Sequence, residues 1–223
     1  MYSDGSLIIK DGASFSAKSE RAYVVIVNSG TATIGNINVD GVHGGFGVNS
    51  GEVTINGGNY KCTNYYGIWI TNDGNSTVTI NDGSFTGKYG LYTAVDDGRQ
   101  DVGDTKIIIN NGTFTGTQKA AVSMNNSGSI RDWGMTINGG TYSSDISDYV
   151  SEGHDVYNIN NQYIVDKSGE IFANKTKIVM KVGETESLDF DVTENLKKYL
   201  TITSSNPEIA QITDDNVKAL TVR

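Results

Sequence analysis

The chain has 223 residues, with 17 Lys and Arg against 26 Asp and Glu, a formal charge of −9 and a pI near 4.6. Such a surplus of carboxylates repels phosphate backbones, which argues against nucleic acid as a partner. No run of about 18 apolar residues is present to cross a membrane, and the lone Cys62 excludes a disulfide framework or thiolate cluster.

Glycine is frequent, at 27 residues, while proline occurs once. With many Asn, Thr and Ser, this points to short strands joined by tight turns, where Gly and Asn supply positive φ. The opening Met1-Tyr-Ser-Asp-Gly has neither the basic start nor the apolar stretch of a signal peptide. Either the chain is cytosolic, as a structural protein, or its export signal has been removed; the repeats below favour the second.

Taken from the start, one phrase recurs. A degraded copy, LIIKDGASF, occupies 7–15, and ATIGNINV begins at Ala32. Clear copies follow: VTINGGNY at 53–60, VTINDGSF at 78–85, IIINNGTF at 107–114 and MTINGGTY at 135–142. Their shared isoleucines, Ile9, Ile34, Ile55, Ile80, Ile109 and Ile137, lie 25, 21, 25, 29 and 28 residues apart. A second phrase falls between them, starting at Tyr23, Gly44, Gly67, Gly90 and Ala120, and closing on Asn or Asp near Gly, a turn signal.

A period of roughly 25 residues holding strands of three to five cannot make a two-layer sandwich. It makes a coil in which each strand pairs with its equivalent one turn later, at about 4.8 Å. The predicted fold is therefore all-β: a single-stranded right-handed parallel β-helix of about six coils over 1–166. Like stacks on like in such a coil. Ile55, Ile80, Ile109 and Ile137 form one internal column, and Val53, Val78, Ile107 and Met135 another. Tyr60, Phe85, Phe114 and Tyr142 form an aromatic column that Phe15 is expected to join. Alternation places Thr54, Thr79, Ile108 and Thr136 outside. Asn56, Asn81, Asn110 and Asn138 fall at the following corner, where Asn tolerates a left-handed backbone and stacked amides can hydrogen-bond along the rod. Coils need their ends covered; a short helix in 144–150 and a hairpin in 156–165 are the expected cap.

The pattern changes near Lys167. Alternating strands are expected in 178–192, 199–213 and 217–222, as in an antiparallel sandwich. Here Val182-Gly-Glu-Thr-x-x-Leu188, Ser204-Ser-Asn-Pro-Glu-Ile-Ala-Gln-Ile212 and Val217-Lys-Ala-Leu220 resemble the group-2 bacterial immunoglobulin-like (invasin/intimin-type) family. The resemblance covers about 50 residues from Asn174 and lacks the family's closing strands, so 167–223 reads as a partial immunoglobulin-like domain. It implies a secreted or surface-attached bacterial protein, used as a spacer or adhesive stalk, with no catalytic residues to carry over. The repeat region resembles the pectate-lyase-like β-helix superfamily in fold pattern only.

Many parallel β-helices cleave polysaccharides, which needs carboxylates about 6.5–9.5 Å apart for inversion. The pectinase-type clusters Asn-Thr-Asp, Gly-His-Gly and Arg-Ile-Lys are absent. His43 and His154 are far apart and read as surface or hydrogen-bonded residues. The longest corner, 94–104, offers Asp96, Asp97, Asp101 and Asp104, an oxygen set of the kind Ca²⁺ takes, with Arg99 beside it. Aromatic residues gather in two successive coils: Tyr65, Tyr66, Trp69, Tyr89 and Tyr92. If Ile68 and Ile70 point inward, Trp69 faces solvent with Tyr92 beside it, and flat rings there suit the apolar faces of sugars.

Two function classes follow. The first is a non-catalytic secreted or cell-surface bacterial module, a rigid spacer or adhesin. Trp69, Tyr66, Tyr89 and Tyr92 would be its glycan-binding residues, and its partners a host or dietary glycan or a cell-surface protein. It needs no cofactor. The second is a Ca²⁺-dependent polysaccharide lyase or glycoside hydrolase acting at the acidic loop 96–104.

Overall fold

The computed structural model is nearly all β. It describes residues 5–71, 74–94, 103–125, 133–168, 172–173, 177–191, 194–214 and 216–221. Two compact units emerge, 1–167 and 168–223.

The first unit is a parallel β-helix with three walls. Its first tier consists of β1 (Ser6–Ile9), β2 (Ser14–Ala17) and β3 (Tyr23–Val27). In the second and third tiers, single long strands bend through the first corner and serve two walls: β4 (Thr31–Gly41) with β5 (Gly44–Val48), then β6 (Gly51–Cys62) with β7 (Tyr66–Ile70). The fourth tier is β8 (Ser76–Ile80), β9 (Ser84–Gly87) and β10 (Tyr89–Ala94); the fifth is β11 (Thr105–Ile109), β12 (Thr113–Gly116) and β13 (Val122–Asn125). The sixth has β14 (Trp133–Ile137) and β15 (Gly140–Tyr142). Six strands stack in the first wall and, among the described residues, five in the third, β3, β5, β7, β10 and β13, so the coil makes about five turns.

Register follows the repeat. Ile9, Ile34, Ile55, Ile80, Ile109 and Ile137 pair in sequence through the first wall. Five of them, from Ile34 to Ile137, are fully buried. Full burial of such a side chain is worth about 1.5–3 kcal/mol. Tyr60, Phe85, Phe114 and Tyr142 stack face to face, with ring centroids 4.7, 4.8 and 5.2 Å apart and planes within 11°. Phe15 occupies the same register, but Val39 stands between it and Tyr60, and its ring is exposed on the first tier.

The asparagine corner forms as a hydrogen-bonded ladder. Asn81 Nδ2 donates to Asn56 Oδ1 at 2.9 Å, Asn110 to Asn81 at 2.9 Å, and Asn138 to Asn110 at 3.0 Å. Ser151 Oγ closes it by donating to Asn138 Oδ1 at 2.7 Å, and His154 Nδ1 lies 2.9 Å from the same hydroxyl. The ladder asparagines do not take the expected left-handed backbone. That conformation falls two residues later, at Gly58, Gly83, Gly112 and Gly140. At two of them the aligned chains approach too closely for a Cβ: one on Gly58 would overlap the carbonyl of Ile37, and one on Gly140 that of Gly112.

The far end is covered. A single 3₁₀ turn (Ser147–Tyr149) and an antiparallel hairpin, β16 (His154–Ile159) and β17 (Gln162–Lys167), follow β15. The two-residue loop Asn160-Asn161 has φ of 54° and 62°, the mirror-image turn that matches strand twist. β17 pairs antiparallel with β15, which ends the parallel stacking, and Ile146, Ile164 and Val165 are buried.

The second unit is small. Its strands β18 (Phe172–Ala173) and β20 (Phe190–Asp191) pair antiparallel, and β19 (Thr185–Ser187), β21 (Ala210–Thr213) and β22 (Asn216–Ala219) make a three-stranded sheet. The strands are shorter than the sequence pattern predicts. Residues 177–181 and 199–209 carry no strand, and a four-residue helix (Glu194–Lys197) precedes the second stretch. None of the unit's described side chains is fully buried. Ile178, Met180, Leu188, Ile202, Ile212 and Val217 line an apolar hollow of about 470 Å³ instead of a closed core.

A candidate aromatic binding face

The third wall carries the aromatic cluster. Ile68, Ile70 and Leu91 have no exposed surface, so alternation turns Trp69 and Tyr92 outward. In register, Trp69 lies between Gly47 below and Tyr92 above, and Tyr66 between Gly44 and Tyr89.

The rings do not stack by register alone. Tyr92 lies flat on Tyr66, with centroids 4.7 Å apart and planes 12° apart, and Tyr89 packs 4.8 Å from Tyr92. Trp69 stacks on Tyr23, two tiers away, at 5.0 Å and 14°. The glycine tier between them makes this possible, because Tyr23 lies over Gly44, where a side chain would displace it, and beside Gly47. Tyr23 meets His43 edge-on at 5.5 Å, His43 meets Tyr65 at 4.7 Å, and Tyr65 meets Tyr66 at 5.7 Å. Seven rings thus form one continuous strip over four tiers, roughly 14 Å of rod. Trp69, Tyr66, Tyr89 and Tyr92 all belong to it.

Polar groups edge the strip. Asn125 Nδ2 donates to Tyr92 Oη at 3.1 Å, and Lys88 Nζ stands 6.0 Å over the Tyr65 ring. Burial, with the neighbouring phenols adding to it, pushes Tyr66 up to about 12, so its hydroxyl stays protonated at neutral pH. His43 Nδ1 is buried without a hydrogen-bond partner among the described residues.

Tyr23 and His43 are missing from the sequence-derived site, where His43 reads as a lone surface or hydrogen-bonded residue. The available signal was the pairing of Gly44 and Gly47 with Tyr66 and Trp69. A glycine tier beneath two aromatic tiers leaves room for a ring from the tier below.

The other expected site is the acidic stretch 94–104, of which Asp104 stands at the corner joining the third wall to the first. Asp96, Asp97, Asp101 and Arg99 fall outside the described residues. Asp104 is exposed, its backbone N–H donating to Asn75 Oδ1 at 3.1 Å. It lines a groove of about 910 Å³ along that corner, with Glu52, Lys106 and Trp133. Among the described residues no group of three His, Cys, Asp or Glu is placed to hold a metal ion, and no helix is long and apolar enough to cross a membrane.

Comparison with protein-family models, curated proteins and solved structures finds no match to this chain.

Proposed function

We propose that this chain is a non-catalytic surface module of a bacterium, exported from the cell, whose rod presents the aromatic strip to carbohydrate. The strip is the observation that carries the reading. Surface aromatics usually bury their faces in the wall beneath or scatter singly. Here seven rings run together along a rigid β-helix, backed by a stacked core, with amide, phenol and ammonium groups at their edges. That combination fits saccharides, which offer apolar ring faces and hydroxyl rims. The pectate-lyase-like character of the coil and the partial immunoglobulin-like character of 167–223 belong to this same reading, that of a spacer or adhesin. A glycan array probed with the full chain tests it. Retention of at least one glycan, lost in Trp69→Ala and Tyr92→Ala variants with unchanged far-UV spectra, is the expected result.

A second reading draws on the groove beside Asp104. There a Ca²⁺-dependent lyase or glycoside hydrolase would use Asp96, Asp97, Asp101 and Asp104. Polysaccharide turnover that requires Ca²⁺ and disappears in Asp97→Ala would replace the first reading with this one.

A further inference from the structure

The strip adjoins a corner whose charge is opposite to that of the chain. Between the second and third walls, four successive tiers turn through 41–44, 63–66, 87–89 and 116–121, and none of these segments contains an Asp or Glu. They contain Lys88 and Lys119 instead, in a chain of net charge −9. Lys88 and Lys119 sit on adjacent tiers, joined by a hydrogen bond from Lys119 N to Lys88 O at 3.0 Å. Their stems therefore start about 4.8 Å apart, close enough for both ammonium groups to reach one anionic group.

Carboxylates flank these four turns without lying within them. Asp145, in the tier beyond, accepts hydrogen bonds from Ser147 N at 3.0 Å and Ser147 Oγ at 2.6 Å, which hold its pKa below the usual carboxylate range. Asp40, on the neighbouring wall, lies opposite Lys61 in register. On the tier before, Glu20 adjoins Arg21.

Resting on the carbohydrate reading above, we infer that the strip takes an acidic glycan: a sugar ring lies against Tyr89 and Tyr92 while its carboxylate or sulfate sits between Lys88 and Lys119. The rings supply stacking that any sugar can use. The lysines select for charge, because an anion at this corner gains two charge-assisted contacts that a neutral sugar lacks. Elsewhere the acidic surface repels the same ligand, which confines binding to this face.

The test is an array of sialylated, uronate-bearing and sulfated glycans printed beside their neutral parents, probed with the full chain. At least one acidic glycan should be held about tenfold or more over its neutral parent. That margin should shrink as salt rises from roughly 0.1 M to 1 M. Lys119→Gln should shrink the margin and leave neutral-sugar binding in place, Lys88→Gln/Lys119→Gln should erase the margin, and Tyr92→Ala should weaken both. Equal binding of acidic and neutral glycans, or a margin that survives the double lysine variant, overturns the charge selection and leaves the carbohydrate reading standing. Acidic binding untouched by Tyr92→Ala shows simple ion pairing and overturns it too. If no glycan binds, both the carbohydrate reading and this inference fall.

Discussion

Tyr23 lies flat on Trp69, although two tiers of the coil separate their strands. The ring reaches because the intervening strand presents Gly44 and Gly47 on its outer side. Gly44→Ala places a methyl group where the Tyr23 ring rests. The surface ring can swing away, so the rod should remain folded while Trp69 loses its cover. In a Trp133→Phe background, Trp69 emission should shift to longer wavelength with the far-UV spectrum unchanged. Unaltered emission would show that the glycine tier is not what seats Tyr23.

The amide ladder should show its position dependence. Asn81 both donates and accepts along the rod, whereas Asn56 only accepts. Replacing Asn81 by Ala removes two bonds, each worth about 1 kcal/mol net. Asn56→Ala removes one. Urea denaturation should rank Asn81→Ala as the costlier by about 1 kcal/mol; equal losses would mean that water replaces the amides without cost.

Thr93 is a polar residue in an apolar column. It pairs with Ile70 on one side and Met124 on the other, has no exposed surface, and its hydroxyl finds no partner among the described residues. A buried hydroxyl without a hydrogen bond costs about 1–3 kcal/mol. Thr93→Val keeps the shape and deletes that cost, so it should stabilise the rod by roughly 1–2 kcal/mol. Destabilisation in thermal or urea unfolding would contradict the placement.

Alkali should weaken the aromatic strip. Tyr66 titrates at about 12 in the fold against 10.0 when unperturbed, chiefly because burial penalises its phenolate. A raised pKa means that the folded state binds the proton more tightly, so this contribution is intact below pH 10 and lost between about 10 and 12. Tyr66→Phe should flatten the fall in stability across that window. A wild-type-like pH profile in the variant would refute the assignment.

Much of the rod can be read from the repeat. A parallel coil places equal positions above one another, so the columns Ile55–Ile80–Ile109–Ile137 and Tyr60–Phe85–Phe114–Tyr142 follow from spacing, as does the ladder of Asn56, Asn81, Asn110 and Asn138. The hairpin expected in 156–165 forms as well, over His154–Lys167. The strip was only partly legible. Alternation turns Trp69 and Tyr92 outward, but whether their rings meet depends on side-chain rotation, and that is settled by the space neighbouring tiers leave. Hence Tyr92 lies on Tyr66 instead of Trp69, and Tyr23 and His43 join from tiers where no aromatic phrase marks them. In the second unit the pattern predicted longer strands than form, because alternation records which residues seek burial and not whether a facing sheet is present to bury them. Periodicity specifies what repeats along the rod; contacts between unlike tiers arise from the shape of the gaps, which exist only once the chain is coiled.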